Sequence, residues 1–235
     1  MILSAHQSAY NPWLGFIHKI LLCDIFVVMD DVQFEKNSFI NRNRILQNSN
    51  EVMLSIPVET KEYKTKTIRD IKIANSMWKI KHKKSIEQAY KKAPYFERVF
   101  GELEKVYAIE SDFLIDYTDA YLNFLVDYLK IETQIIHASS LHIESKKLFY
   151  VIEMCEKLNA ETFIFGALGK EYADEKILNE HGIKPYFQEY KHPTYTQNAK
   201  SFHPYMGIID LLFNEKNPKE ILLKNNITKE EVPHE

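Results

Sequence analysis

A chain of 235 residues with 45% apolar side chains can build one large core, or a core with a helical annex. Its formal charge of -3 excludes a generally basic nucleic-acid protein, and no apolar run approaches the roughly 18 residues that would span a bilayer. Six glycines, with neither a dinucleotide-binding nor a Walker-type spacing, exclude the common glycine-rich phosphate loops, so any phosphate must be met by side chains or helix N-termini.

The chain opens on a short apolar strand over residues 2–6, then an aromatic turn through Tyr10, Pro12 and Trp13, then a helical pattern from Gly15 to Leu22 that Asp24 closes. No basic stretch precedes the first apolar run and Pro12 breaks it, so no signal peptide is expected and the protein reads as soluble and cytoplasmic. A second apolar run over 24–30 stops at Asp30-Asp31. Residues 51–57 and 67–73 alternate, which predicts half-exposed or edge strands. Three helices follow: one from Ser76 as N-cap to about Lys92, one over 95–108, and one introduced by Ser111 with a stripe of Leu114, Tyr117, Tyr121, Leu125 and Tyr128. Apolar strands at 133–137, 162–166 and 183–187 flank a helix carrying Leu148, Val151, Ile152, Cys155 and Leu158. Cys23 and Cys155 sit in apolar runs and read as buried free thiols of a reducing compartment. The polar tail over 224–235 predicts fraying.

Strand–helix alternation predicts an α/β fold of the doubly wound, Rossmann-like class, a mostly parallel central sheet with crossover helices. The expected organisation is a single domain over 1–235 with a largely helical insert or cap at about 76–130. If the strands at 2–6 and 133–137 are central neighbours, the strand order reverses between them. The ligand crevice then holds His6-Gln7 on one side and His137-Ala138-Ser139-Ser140 on the other.

Polar groups at the ends of buried strands are the candidates for chemistry. His6 is suited to act as a base near neutral pH or to bind a phosphate oxygen; the plainer role is to fix the turn that follows. Asp30 and Asp31 point to opposite sides of an extended segment, and Asp30, in register with Val28, is placed toward the crevice; the plainer role of the pair is to cap the next turn. Gln33 lies just beyond. Asn41-Arg42-Asn43-Arg44 puts two guanidinium groups together, a pattern suited to bidentate contact with carboxylate or phosphate. Residues 61–92 hold ten Lys and one Arg against three carboxylates, a net of +8. The segment is either a solvated helix face or a landing site for a polyanion such as tRNA or for a nucleotide diphosphate. The aromatic loop over 190–205 offers Tyr195 and Gln197 as pocket walls, with His192 and His203 as further base candidates. No spacing satisfies a tetrahedral zinc site, so no metal is expected, and neither cysteine has an activating neighbour.

Taken in order, these pieces resemble the WbqC-like protein family of bacterial polysaccharide loci. The resemblance rests first on His6-Gln7, Tyr10, Pro12-Trp13-Leu14-Gly15, Lys19, Asp24, Asp30-Asp31-Val32-Gln33-Phe34 and Asn41-Arg42-Asn43-Arg44-Ile45. It continues through Trp78, His82, Ala93-Pro94-Tyr95-Phe96, Ser139-Ser140, Tyr172, His192-Pro193, Tyr195, Gln197 and the run 208–214, covering nearly the whole chain. The chain departs from the family pattern at Gln7-Ser8, where a glutamine–proline pair is usual, and at Gly207, where serine is usual. The resemblance implies a part in O-antigen, lipopolysaccharide or related surface-glycan synthesis, with a glycyl or other aminoacyl transfer onto an amino sugar. It adds Trp13, Asn41, His82, Ser139, Ser140 and Tyr172 to the substrate-binding candidates, and His18 is counted with them. The opening stretch is also similar to the nucleotidylyltransferase-type fold, including pantothenate synthetase, although His6 and His18 lack the close spacing used there to grip a triphosphate.

The leading expectation is an acyl- or aminoacyltransferase that forms an amide on a dTDP- or UDP-linked amino sugar. His6, assisted by Asp30, takes the proton from the amine, Arg42 and Arg44 hold the diphosphate, and Gln7, Tyr10, Gln33, Tyr195 and Gln197 orient the substrate. No tightly bound cofactor is expected. The donor is an acyl carrier protein or CoA thioester, or an aminoacyl-tRNA, docking through the Lys-rich helix over 79–92. Two alternatives stand beside it: an ATP-dependent amide ligase working through an acyl adenylate, and a non-catalytic nucleotide-sugar or RNA-binding module.

Overall fold

A computed structural model describes residues 1–233. Seven strands follow one another as β1 (Ile2–His6), β2 (Ile25–Val28), β3 (Arg42–Gln47), β4 (Asn50–Ser55), β5 (Gln134–His137), β6 (Thr162–Phe165) and β7 (Lys184–Phe187). The longer helices are α1 (Leu14–Leu21), α2 (Met77–Tyr90), α3 (Phe96–Ala108), α4 (Leu114–Leu129) and α5 (Leu148–Leu158), followed by the short α6 (Glu175–Glu180), α7 (Ile208–Asn214) and α8 (Pro218–Leu223). Five strands pair in parallel in the order β5-β2-β1-β6-β7, and β3 and β4 form a separate antiparallel hairpin. The class is α/β with a doubly wound parallel sheet. No helix among the described residues is long and apolar enough to cross a membrane.

The order places β1 at the centre. The chain lays β2 and then β5 to one side, crosses through α5 to place β6 on the other side of β1, and adds β7 beyond it. The reversal therefore falls between β1 and β6, and β2 separates β1 from β5. The expectation that residues 2–6 and 133–137 are neighbours is corrected. A two-residue period decides what each face packs on. Ile2, Phe26, Val28 and Ile164 join the core formed by α1 and the helical block α2–α4, while Leu3, Ala5, Val27, Phe163 and Phe165 pack on α5 and α6. His6 and His137 extend the first of these faces.

Two segments differ from the sequence reading. Residues 67–73 are not a strand but a 3-10 turn over Ile68–Asp70 held by isolated bridges. Ile68 and Ile71 are the fully buried residues there, and their spacing of three suits a 3-10 turn better than a pleat. The Asn41–Arg44 cluster lies at the start of a hairpin, where Asn43 and Ile45 turn inward and Arg42 and Arg44 share the more exposed face. Ser76 precedes α2 without a side-chain cap, and Asn75 Oδ1 takes the Met77 N–H instead.

The tail is packed through residue 233. A capping box joins Thr228 and Glu231, Val232 is buried, and the Pro233 carbonyl accepts from Thr162 Oγ1 at 3.1 Å. The fraying expected for residues 224–235 is corrected for this part, and residues 234–235 lie outside the described residues. Cys23 and Cys155 are buried free thiols, and burial raises the pKa of both, Cys155 to about 12.

Candidate active site at the carboxyl end of the sheet

β1 ends in His6, whose ring is held edge-on by Trp13 and Phe16, each with its centroid 5.3 Å away. Its Nδ1 lies 3.0 Å from the Gln7 carbonyl. A carbonyl only accepts, so Nδ1 carries the proton and Nε2 keeps its lone pair. Burial, and next the positive charge of Lys19, push the imidazole pKa down to about 3, against the opposing effect of the Gln7 bond. His6 is neutral throughout the physiological range, with one defined tautomer.

The ends of β2 and β5 hold the opposite arrangement. His137 lies between two carboxylates, its Nδ1 3.4 Å from Asp30 Oδ2 and its Nε2 3.2 Å from Asp119 Oδ2 on α4. Hydrogen bonds from the ring to Asp119 and Asp30 raise its pKa to about 10. Asp30 is buried. Burial alone would raise its pKa, but His137 and the N–H and hydroxyl of Ser139, at 2.9 and 2.6 Å, bring it down to about 2. Asp31 turns the other way and accepts from the Tyr150 hydroxyl at 2.6 Å. Asp30 is thus bonded to His137 and Ser139, and the expected His6–Asp30 pairing is not formed. His6, Val28 and His137 are in register across three strands, so both imidazoles project from one face with Cα atoms roughly 10 Å apart, two interstrand spacings.

The remaining candidates scatter. His18 is fixed inside the fold, with Nε2 on the Ile227 carbonyl and Nδ1 on Gln188 Nε2. His82 Nδ1 meets the Tyr10 hydroxyl at 2.8 Å, and that hydroxyl meets Tyr107, a buried chain beneath the hairpin; burial lowers the His82 pKa to about 4. His192 donates from Nδ1 to the Pro193 carbonyl and accepts the Tyr205 N–H on Nε2, which occupies both nitrogens within its own loop. His203 lends that loop its backbone, its N–H and carbonyl both bonded to Gln197. Tyr195 and Gln197 donate to the buried Asp210 at 2.8 and 2.6 Å, and Tyr90 donates to its other oxygen at 2.7 Å.

Arg42 binds Asn37, Arg44 binds Glu51, and Asn41 donates to the Ile56 carbonyl. Gln33, Ser140 and Tyr172 are exposed. Two surface depressions do not have His6 in their walls: one of about 590 Å³ at the start of α2 includes Asn75, Lys79 and Asp112, and one of about 180 Å³ includes Asn41 and Arg42. Of the strongly perturbed histidines, His6 and His137 stand at the sheet's carboxyl edge, where this topology opens its crevice, and His82 lies beneath the hairpin.

Sequence reasoning missed Lys19, Asp119 and Asp210 as members of polar clusters. Lys19 and Asp210 carried a signal, since each is a lone charge inside an apolar helical run, Phe16-Ile17-His18-Lys19-Ile20 and Ile208-Ile209-Asp210-Leu211-Leu212. Asp119 carried none: its role depends on α4 crossing the end of β5.

An α/β domain with a doubly wound parallel sheet and an enclosed histidine at the end of its central strand is the class that fold and site define. The chain belongs to the WbqC-like protein family, whose model matches residues 7–221. It is similar to the uncharacterized protein Rv1507c of Mycobacterium tuberculosis, 28% identical over 210 residues that cover 88% of this chain and 91% of that protein.

Proposed function

We propose that the protein is an acyl- or aminoacyltransferase that forms an amide on a nucleotide-linked amino sugar in surface-glycan synthesis, with His6 as the proton acceptor. The observation that carries the reading is the neutral, tautomer-fixed His6, with a free Nε2 at the carboxyl end of the central strand. When a neutral amine attacks a thioester or ester carbonyl, the new C–N bond leaves a positive, acidic nitrogen in the tetrahedral intermediate. The unprotonated Nε2 lone pair is the acceptor, and because an imidazole held at about 3 is a weak base, the transfer requires bound anionic substrate to raise its pKa toward the working pH. The C–S or C–O bond then breaks, and the proton passes from Nε2 to the departing thiolate or alkoxide.

Arg42 and Arg44 share one face of the hairpin and suit the sugar's diphosphate. Lys81, Lys84, Lys91 and Lys92 are exposed on and just after α2, where an anionic carrier protein, CoA or tRNA would dock. Lys79 is tied to the Ile109 carbonyl and Lys83 lies 3.7 Å from Glu104, so the docking charge falls to the other four. The test is to incubate the protein with dTDP- and UDP-amino sugars and with acyl thioesters or aminoacyl-tRNA, and to look for the amide by mass. Product with wild-type protein and none with His6→Gln is the expected result. No product with any donor from folded protein overturns the reading, and product only with ATP makes the protein a ligase.

A further inference from the structure

Lys19 is a charged side chain that is only 4% exposed, and among the described residues no carboxylate lies within ion-pair distance of it. Its Nζ donates to the Ala5 carbonyl at 2.9 Å. An ammonium has three N–H donors, and a buried cation without a counter-charge is costly. The sheet explains where this charge sits. Carbonyls alternate along a strand: the His6 carbonyl takes the Met29 N–H on the β2 side, so the Ala5 carbonyl faces β6. Pairing of β1 with β2 runs to His6↔Val28, whereas pairing with β6 stops at Ser4↔Ile164. Beyond Ser4 the two halves of the sheet part, and Lys19 fills the opening. This is the switch point of the doubly wound sheet, where ligands of such folds lie.

We infer that Lys19 is the counter-cation of an oxyanion group of the ligand, a phosphate or carboxylate oxygen that enters between the ends of β1 and β6 beside His6. The inference rests on the proposed placement of substrate at the end of β1, not on which group is transferred. An incoming oxyanion supplies the charge that the fold withholds, and takes N–H donors that the Ala5 carbonyl leaves free. The positive charge of Lys19 adds to burial, the larger cause, in keeping the His6 imidazole unprotonated.

The test compares wild type with Lys19→Gln, which keeps a donor for the Ala5 carbonyl and removes the charge, and with Lys19→Met as a second variant. Thermal shifts are recorded with pyrophosphate and UDP as phosphate probes and N-acetylglycine as a carboxylate probe. Wild type is expected to be stabilised by at least one class of probe, which identifies the group, and both variants are expected to lose about tenfold or more in apparent affinity, as removal of a charge-assisted bond implies. Without ligand, Lys19→Met is expected to unfold at a higher temperature than wild type, because an uncompensated charge is gone. An unchanged probe shift in Lys19→Gln, or no shift in wild type with any probe, overturns the inference. Probe binding that depends on Lys19 with no amide product would leave it standing and count against the transferase instead.

Discussion

Two places along the carboxyl edge of one sheet treat buried charge in opposite ways. At β2 and β5, His137 is clasped by Asp30 and Asp119, Asp30 also accepts two bonds from Ser139, and each charge meets an opposite one. At β1, Lys19 has only a carbonyl and His6 keeps a free Nε2. Compensated charge lowers the energy of the fold and has little left to give a ligand. Uncompensated charge costs stability and leaves a preorganised site. The difference separates groups that hold the sheet's carboxyl edge together from groups available for chemistry.

The strongest test of that contrast is catalytic. His6→Gln is expected to reduce amide formation by about 10²- to 10⁴-fold, the usual worth of a general base, with thermal unfolding little changed. Because the His6 pKa is about 3, the acid limb of kcat/KM in the wild type should show no group titrating near 6.5. A break near 6.5 that disappears in His6→Gln would contradict the assignment.

Next in size is the compensated end. Asp30→Ala leaves His137 with one carboxylate and orphans Ser139, and it should cost about 2 kcal/mol, less than a fully buried pair because His137 is partly exposed. The sign is opposite to that expected for Lys19→Met, and calorimetry of the two variants measures the contrast directly. Tyr90→Phe offers a reference at the buried Asp210, which would lose one of three donors at a cost of about 1–3 kcal/mol.

pH sharpens the comparison further. The folded pKa of His137, about 10, lies above the ordinary 6.5, so its stabilisation is complete below about 6.5 and is lost as pH rises through 10. Asp30, lowered from 3.8 to about 2, contributes above 3.8 and loses that contribution as pH falls through 2. Lys19 runs the other way: its pKa falls from 10.5 to about 8, so its charge is a cost at neutral pH, relieved as pH climbs from 8 toward 10.5. Melting temperature against pH should lose its alkaline decline in His137→Gln and gain a steeper one in Lys19→Met. The smallest effect belongs to Arg44→Ala. The Arg44–Glu51 pair is exposed, so stability should change by less than about 1 kcal/mol, while binding of UDP weakens if the hairpin holds the diphosphate.

The sequence carried the local half of the site. The strand ending at His6, the run stopping at Asp30-Asp31 and the strand before Ser139 were all legible, because apolar runs that stop abruptly mark strand ends. The stripe of Leu114, Tyr117, Tyr121 and Leu125 was legible as a helix, and these residues are buried. The hairpin strand over Arg42–Gln47 was obscured because its inward positions include Asn43, whose side chain donates to the Asn11 carbonyl instead of packing as a hydrophobe.

Periodicity and composition by themselves determined the α/β class, the positions of its strand ends and the polar residues stationed there, since each depends on only a few neighbouring side chains. Tertiary structure decided the partners. Strand order sent Asp30 to His137 instead of His6, the crossing of α4 supplied Asp119, and the early end of the β1–β6 ladder gave Lys19 its place. The pairing of Asp30 with His137 and that of β1 with β6 each reach across more than a hundred residues of chain, the other contacts follow from how α1 and α4 pack on that sheet, and no local period encodes them.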